Sequence, residues 1–183
     1  WISFPMLPEY QDVVDAYERI KTEAVRTPLL RAFALEKALG ANRIYVKAEC
    51  LQRTGSFKFR GAFNAISKLT DEQRAQGVVA CSSGNHAQGV ATAAQMMGCK
   101  ATIVMPKDAP QMKLDRTKAA GAEIVLYDRY SADRDAIAEK LLAERGGVYI
   151  PPYDHPDVVA GQGTAALEAV EQLKAEGEKP NFV

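Results

Sequence analysis

The run Thr54-Gly55-Ser56-Phe57-Lys58-Phe59-Arg60-Gly61-Ala62 places one primary amine between two aromatic rings. Phe57 and Phe59 argue for at least partial burial, and burial penalises the ammonium form of Lys58 and lowers its pKa. A lysine that spends time neutral is a nucleophile whose chemistry is Schiff-base formation with a carbonyl compound. The same residues also suit a lysine whose stem packs on aromatics while its head reaches water, and these nine positions alone do not separate the two.

A second stretch, Ser82-Ser83-Gly84-Asn85-His86-Ala87-Gln88-Gly89, follows the apolar segment Gly77-Val78-Val79-Ala80-Cys81 and precedes a small-residue helix predicted from Val90 to Met97. Strand, glycine turn and helix start in succession make an anion-binding arrangement, because helix N–H groups without partners and hydroxyl donors converge there. A serine-rich cap with Asn85 as N-cap satisfies the same pattern. His86 shows no partner that would assign it proton transfer. Gly161-Gln162-Gly163-Thr164 reads as a tight turn with Thr164 capping the following helix, and only loosely as a phosphate loop. The dinucleotide fingerprint, the nucleophile elbow and the Walker loop all require glycine spacings that this chain lacks.

The elements that must position these residues alternate. Helix is predicted over Glu9 to Ala24, and Leu29-Leu30 leads into a short helix, Ala34 to Leu39, closed by Gly40. A strand is predicted over Arg43 to Ala48, then a loop to Gly55, then a helix from Phe59 to Leu69 with Lys58 at its start. Further strands are predicted at 77–81, 101–105, 123–127 and 148–150, separated by helices at 110–120 and 132–143. A proline-rich connection, Pro151 to Pro156, and the turn at 161–164 lead to a last amphipathic helix bearing Ala166, Val170 and Leu173. Strands separated by helices imply an α/β fold, a parallel sheet with helices on both faces. The segment 71–156 reads as a smaller α/β domain carrying the serine loop. Residues 1–70 and 157–183 read as parts of a larger, incomplete one, with a strand beginning at Pro180-Asn181-Phe182-Val183.

Lys plus Arg and Asp plus Glu number 23 each, so no global field draws nucleic acid or an anionic membrane. No apolar run approaches the roughly 20 residues of a membrane helix. The start Trp1-Ile2-Ser3-Phe4-Pro5 lacks the features of a signal peptide, and a cytoplasmic protein is expected. Cys50, Cys81 and Cys99 sit in apolar segments and are expected to be reduced, buried thiols. Two histidines offer no convincing metal cluster, so no metal is expected in this segment.

Taken in order, the run Lys47 to Ala62, the Ser82 to Gly89 loop and Ala160-Gly161-Gln162-Gly163-Thr164 resemble the fold-type-II (tryptophan synthase β-like) pyridoxal-phosphate enzymes, in the branch of threonine/serine dehydratases, serine racemases and hydroxyaspartate dehydratases. The resemblance implies that Lys58 carries pyridoxal 5′-phosphate and later acts as base, that Phe57 lies against the pyridine ring, and that Asn85 bonds its 3′ oxygen. It implies that Ser82, Ser83, Asn85 and His86 grip the substrate carboxylate, and that Ser83 moves a proton on the face opposite the lysine in racemases. It further implies a homodimer or higher homo-oligomer acting on a small amino acid. A glycine-rich phosphate cup, a divalent-cation site and a partner for the pyridine nitrogen are expected beyond Val183, so this segment alone is expected to hold the cofactor weakly and to be inactive. The implied activity is elimination of water from threonine, serine or 3-hydroxyaspartate. The alternatives are racemisation by the same site and, from another class, a non-catalytic amino-acid-binding regulatory domain.

Overall fold

The computed structural model describes residues 7–181. Eight helices and six strands are ordered along them as α1 (Tyr10–Ile20), β1 (Leu29–Arg31), α2 (Phe33–Leu39), β2 (Tyr45–Lys47), α3 (Lys58–Ser67), α4 (Asp71–Gln76), β3 (Val78–Cys81), α5 (Asn85–Met96), β4 (Ala101–Pro106), α6 (Gln111–Ala119), β5 (Glu123–Tyr127), α7 (Arg134–Arg145), β6 (Val148–Tyr149) and α8 (Pro156–Ala175). β1 and β2 pair antiparallel, with Leu30 opposite Val46. The other four form a parallel sheet in the order β5-β4-β3-β6.

Alternate residues of that sheet point to opposite faces, and both faces are covered as expected. On one, Val78, Ala80, Ile103 and Met105 join Phe59, Ala62 and Ile66 of α3 and Ala87, Val90 and Ala94 of α5. On the other, Val79, Cys81 and Val104 meet Ala138 and Leu141 of α7. Strands apolar on both sides are what a parallel sheet between helices requires.

Several boundaries differ from the sequence expectation. Leu29-Leu30 is not a helix lead-in but part of β1, because a three-residue strand is too short to show alternation. α4 was not anticipated, although Thr70 and Gln73 form a capping box at its start. α5 starts at Asn85 instead of Val90, which shortens the serine loop to Ser82-Ser83-Gly84. Cys50 is exposed, whereas Cys81 and Cys99 are buried free thiols. Pro180 and Asn181 are not in a strand, and the rest of that expected strand, Phe182-Val183, lies outside the described residues. No helix among the described residues is long and apolar enough to cross a membrane.

The largest correction concerns Gly161-Gln162-Gly163-Thr164, which is no turn but lies inside α8, a single helix capped by His155. Its glycines serve packing. A Cβ on Gly161 would lie 2.6 Å from the Gly61 Cα and 2.7 Å from the Arg60 carbonyl, so α3 and α8 cross on backbone against backbone. A Cβ on Gly163 would instead meet the Val13 side chain of α1 at 3.0 Å. Thr164, buried, donates its hydroxyl proton to the Gly161 carbonyl within the helix, at 2.7 Å.

The two glycines therefore separate by experiment. In the full-length protein, Gly161→Ala is expected to lower the free energy of unfolding by about 3 kcal/mol, since backbone cannot yield to the new methyl. Gly163→Ala should stay within about 1 kcal/mol of wild type, helix propensity offsetting the squeeze on Val13. Urea unfolding of both variants measures the difference; equal effects would refute the crossing as the role of Gly161.

Candidate active site

Lys58 is the first residue of α3, with Phe57 as N-cap and no acidic residue in the first turn. Its Nζ donates to the Pro152 carbonyl at 2.6 Å and forms no ion pair among the described residues. Partial burial holds its pKa below the ordinary lysine value. The positive end of the α3 dipole acts in the same direction. Phe59 is fully buried. Phe57 is 42% exposed, and its ring centre lies 5.4 Å from the Lys58 amine.

The serine loop runs into α5, and α5 packs against the start of α3. A Cβ on Gly89 would lie 3.1 Å from the carbonyl carbon and oxygen of Lys58, so only glycine lets α5 lie against the start of α3. The His86 ring is buried and its Nε2 bonds the Ile150 carbonyl at 2.9 Å. Lys58 and His86 thus converge on one segment, Ile150 to Pro152, just past β6. Ser82 Oγ accepts from the Gly84 N–H at 3.2 Å, and Asn85 opens α5 in an exposed position. As in any helix, the first N–H groups of α5, those of Asn85 and His86 among them, lack intrahelical acceptors.

The topology places the serine loop and the Ile150–Pro152 segment at the same end of neighbouring strands. From β3 the chain moves outward to β4 and β5, then returns to β6 on the opposite side of β3. The strand order reverses between β3 and β6, and ligands of open α/β sheets bind at the carboxyl ends of strands at such a point. The serine loop leaves the carboxyl end of β3, and the Ile150–Pro152 segment leaves that of β6.

Behind Lys58 lies a charge cluster that the sequence reading passed over. Arg60, with 0% of its side chain exposed, donates to both carboxylate oxygens of Glu49 at 2.8 Å and to both of Glu168 at 2.9 Å. It also reaches the Val25 carbonyl at 3.2 Å and the Thr164 hydroxyl at 3.3 Å. Lys47 joins through Glu168 at 2.7 Å, the Thr27 carbonyl at 2.7 Å and Gln172 at 2.8 Å. Burial works against the Glu49 carboxylate, but hydrogen bonds from Arg60 and Thr27 outweigh it and hold its pKa below the usual range. Burial pushes Lys47 down, only partly offset by Glu168. The alternation Lys47-x-Glu49 and the position of Arg60 two residues after Lys58 were the available signals.

A cleft of about 810 Å³ lies away from the serine loop. Tyr45, Lys47, Glu49, Ala166 and Val170 line it, and Phe57 is the one predicted site residue that does so. Lys58, Ser82, Ser83, Asn85 and His86 stand outside that lining.

Three comparisons bear on this arrangement. The family described as pyridoxal-phosphate dependent enzyme matches residues 20–183. L-threo-3-hydroxyaspartate ammonia-lyase of Saccharomyces cerevisiae is 54% identical over 92% of this chain and 51% of its own length. Serine racemase of Schizosaccharomyces pombe is 48% identical over 92% of this chain and 52% of its own. The structure of the processed form of threonine deaminase isoform 2 from Solanum lycopersicum superposes with a TM-score of 0.79 at 40% identity, covering 93% of this chain and 51% of that one. The chain spans about half the length of the curated relatives it matches.

His86 gives the site a testable pH signature. Burial, reinforced by the charge of Lys58 and opposed by the Ile150 bond, lowers its pKa from 6.5 to about 4. A folded-state value below the unfolded one means that the neutral ring's contribution is complete above about pH 6.5 and is lost as the pH falls towards 4. Urea unfolding of the full-length protein is expected to lose about 2–3 kcal/mol from this group between pH 7.5 and pH 4.5. His86→Gln should remove that part of the pH dependence; an unaltered slope would contradict the assignment.

Proposed function

The chain belongs to the pyridoxal-phosphate-dependent enzyme family, and from that premise we propose that the whole protein is a lyase that eliminates water from a β-hydroxy amino acid, threonine, serine or 3-hydroxyaspartate, to give a keto acid and ammonia. The observation that carries the reading is the Lys58 amine: desolvated, bonded to a carbonyl and paired with no carboxylate among the described residues. An ammonium locked to a carboxylate would resist the neutral state that Schiff-base chemistry needs.

The residues present fit the cofactor. The hydroxyls of Thr54 and Ser56, in the loop that delivers Lys58, are buried without hydrogen-bond partners among the described residues, and Phe57 stands beside the amine. Lys58 would anchor the cofactor, Phe57 would lie against its ring and Asn85 would bond its 3′ oxygen. When bound, pyridoxal phosphate supplies an electron sink for negative charge at the α-carbon of an amino acid.

This chain's own residues do the rest. Ser82, Ser83 and the N–H groups of Asn85 and His86 receive the substrate carboxylate at the positive end of α5. The His86 ring is held to the Ile150 carbonyl through Nε2, and its Nδ1 is buried with no hydrogen-bond partner among the described residues. Once the substrate amine has taken its place, Lys58 removes the α-proton as general base. The β-hydroxyl leaves with a proton as water, and hydrolysis of the remainder releases keto acid and ammonia.

A second reading, an amino-acid racemase, is supported by Ser83. This residue is half-buried in the loop, and whereas Ser82 is bonded to Gly84, the Ser83 hydroxyl has no side-chain hydrogen bond among the described residues. Ser83 would return a proton to the α-carbon from the face opposite Lys58.

In the full-length protein, Lys58→Ala is expected to reduce keto-acid release from threonine, serine and 3-hydroxyaspartate at least about 10³-fold. It should also abolish covalent retention of cofactor after borohydride reduction. Retained release, or cofactor fixed at another lysine, would overturn the reading; tight amino-acid binding without release in the wild-type protein would instead indicate a regulatory domain. Ser83→Ala is expected to cut racemisation about 10²-fold while leaving elimination within about 10-fold, and equal losses would remove Ser83 from the second face.

A further inference from the structure

We propose that the Pro152 carbonyl is the seat of the Lys58 ammonium group, a positioning group that holds the reacting lysine whenever it is protonated and not covalently engaged. The inference rests on the reading of Lys58 given above and names a further participant in the same reaction. Its first support is the 2.6 Å bond from Lys58 Nζ, the one hydrogen bond that this side chain makes among the described residues.

The second is how the segment is built. Pro151 and Pro152 have no N–H, so the stretch offers carbonyls with no donor of its own to compete for them. The rings fix φ at Pro151 and Pro152, and the proline that follows each of Ile150 and Pro151 restricts those two residues to extended conformations, so the backbone leading to the Pro152 carbonyl has little freedom. The segment is tied at each end. The Ile150 N–H donates to the Val79 carbonyl at 2.9 Å, and the Ile150 carbonyl accepts from His86. On the far side Asp154 turns the chain with φ of 54°, and His155 caps α8 through the Asp157 N–H at 3.2 Å. The Pro152 carbonyl is thus held in place before the lysine needs it.

The third is the charge surrounding the amine. From α5 the neighbouring titratable group is His86, held neutral by burial. On α3, Arg60 is committed to Glu49 and Glu168. In the loop, neither Asp154 nor His155 pairs with Lys58, and no other carboxylate does among the described residues. A carboxylate would hold the ammonium by full charge and resist release of its proton. A carbonyl gives a charge-assisted hydrogen bond that stabilises the ammonium more than the neutral amine, yet carries no net charge. When Lys58 takes the α-proton it becomes an ammonium, one of its N–H groups goes to Pro152, and the proton remains available to pass on.

The test weakens the carbonyl while every side chain stays in place, and the Tyr153 N–H that goes with the amide donates no hydrogen bond among the described residues. In the full-length protein, Tyr153 is replaced by its α-hydroxy analogue, which turns the Pro152 amide carbonyl into an ester carbonyl, a poorer acceptor, with every side chain retained. The cofactor is removed, and acetylation of Lys58 by acetic anhydride is followed over about pH 6 to 10 by peptide mass spectrometry. Loss of the acceptor should favour the neutral amine, so labelling at neutral pH is expected to rise about 3- to 10-fold with the melting temperature unchanged. Labelling that does not change overturns the proposal. Should the ester protein fail to fold, a crystal structure of the cofactor-free, full-length wild type decides, with Lys58 Nζ within hydrogen-bond distance of the Pro152 oxygen supporting the seat and any other position overturning it. Because neither readout depends on turnover, failure of the seat is distinguishable from failure of Lys58→Ala to abolish activity.

Discussion

Arg60 is the residue on which the arrangement depends. Its guanidinium has no access to solvent and joins Glu49 and Glu168 at once, while Val25, Thr27, Thr164, Lys47 and Gln172 complete the cluster. Two cations face two carboxylates, so the buried charge is balanced. Such a cluster is poor evidence for net stability, because desolvating four ions cancels much of their attraction; removing a single partner, however, typically costs about 3–5 kcal/mol by leaving charge uncompensated. The geometric consequence matters more. Arg60 belongs to the first turn of α3, and its partners lie on α8, after β2 and between α1 and β1. Two residues ahead of it, the Lys58 backbone inherits that fixed frame.

Close packing completes what charge begins. α3 is pressed on one side by α8 at the Gly61–Gly161 crossing and on another by α5 at Gly89. Glycine at these contacts brings backbones nearer than any side chain would allow, so the Lys58 backbone and the α5 start share a rigid contact. Interiors packed at crystal density transmit displacements instead of absorbing them. A shift of α8 would therefore carry α3 and, through the Gly89 contact, α5 with it, so the Lys58 backbone and the start of α5 move as one body.

Much of this was legible in the sequence, for reasons that differ by residue. Lys58 stood out because aromatics flank it, and the structure gives the lowered pKa those neighbours implied. The parallel sheet followed from apolar strands separated by helices, a pattern set locally. Gly161-Gln162-Gly163-Thr164 misled because glycine next to a hydroxyl residue signals a turn, and nothing local reveals that another helix lies against it. Arg60 carries no local sign of its burial, since that is decided by acids 11 and 108 residues away. The Pro152 carbonyl was beyond reach for the same reason. Every residue has a carbonyl, and only the fold selects the one that meets the amine.

The chemistry at Lys58 is a contest between forces of opposite sign. Burial and the helix N-terminus favour the neutral amine that attacks carbon, whereas a base that has taken a proton needs somewhere for its new charge. Water would meet that need at the cost of readmitting solvent. A carboxylate would meet it by trapping the proton. A fixed backbone carbonyl lies between these extremes, since it strengthens its hold as charge develops and relaxes it as the proton leaves. The diproline segment at the carboxyl end of β6 gives the chain such an acceptor at the point where the strand order reverses, and the buried, neutral His86 anchors that segment without adding a charge of its own.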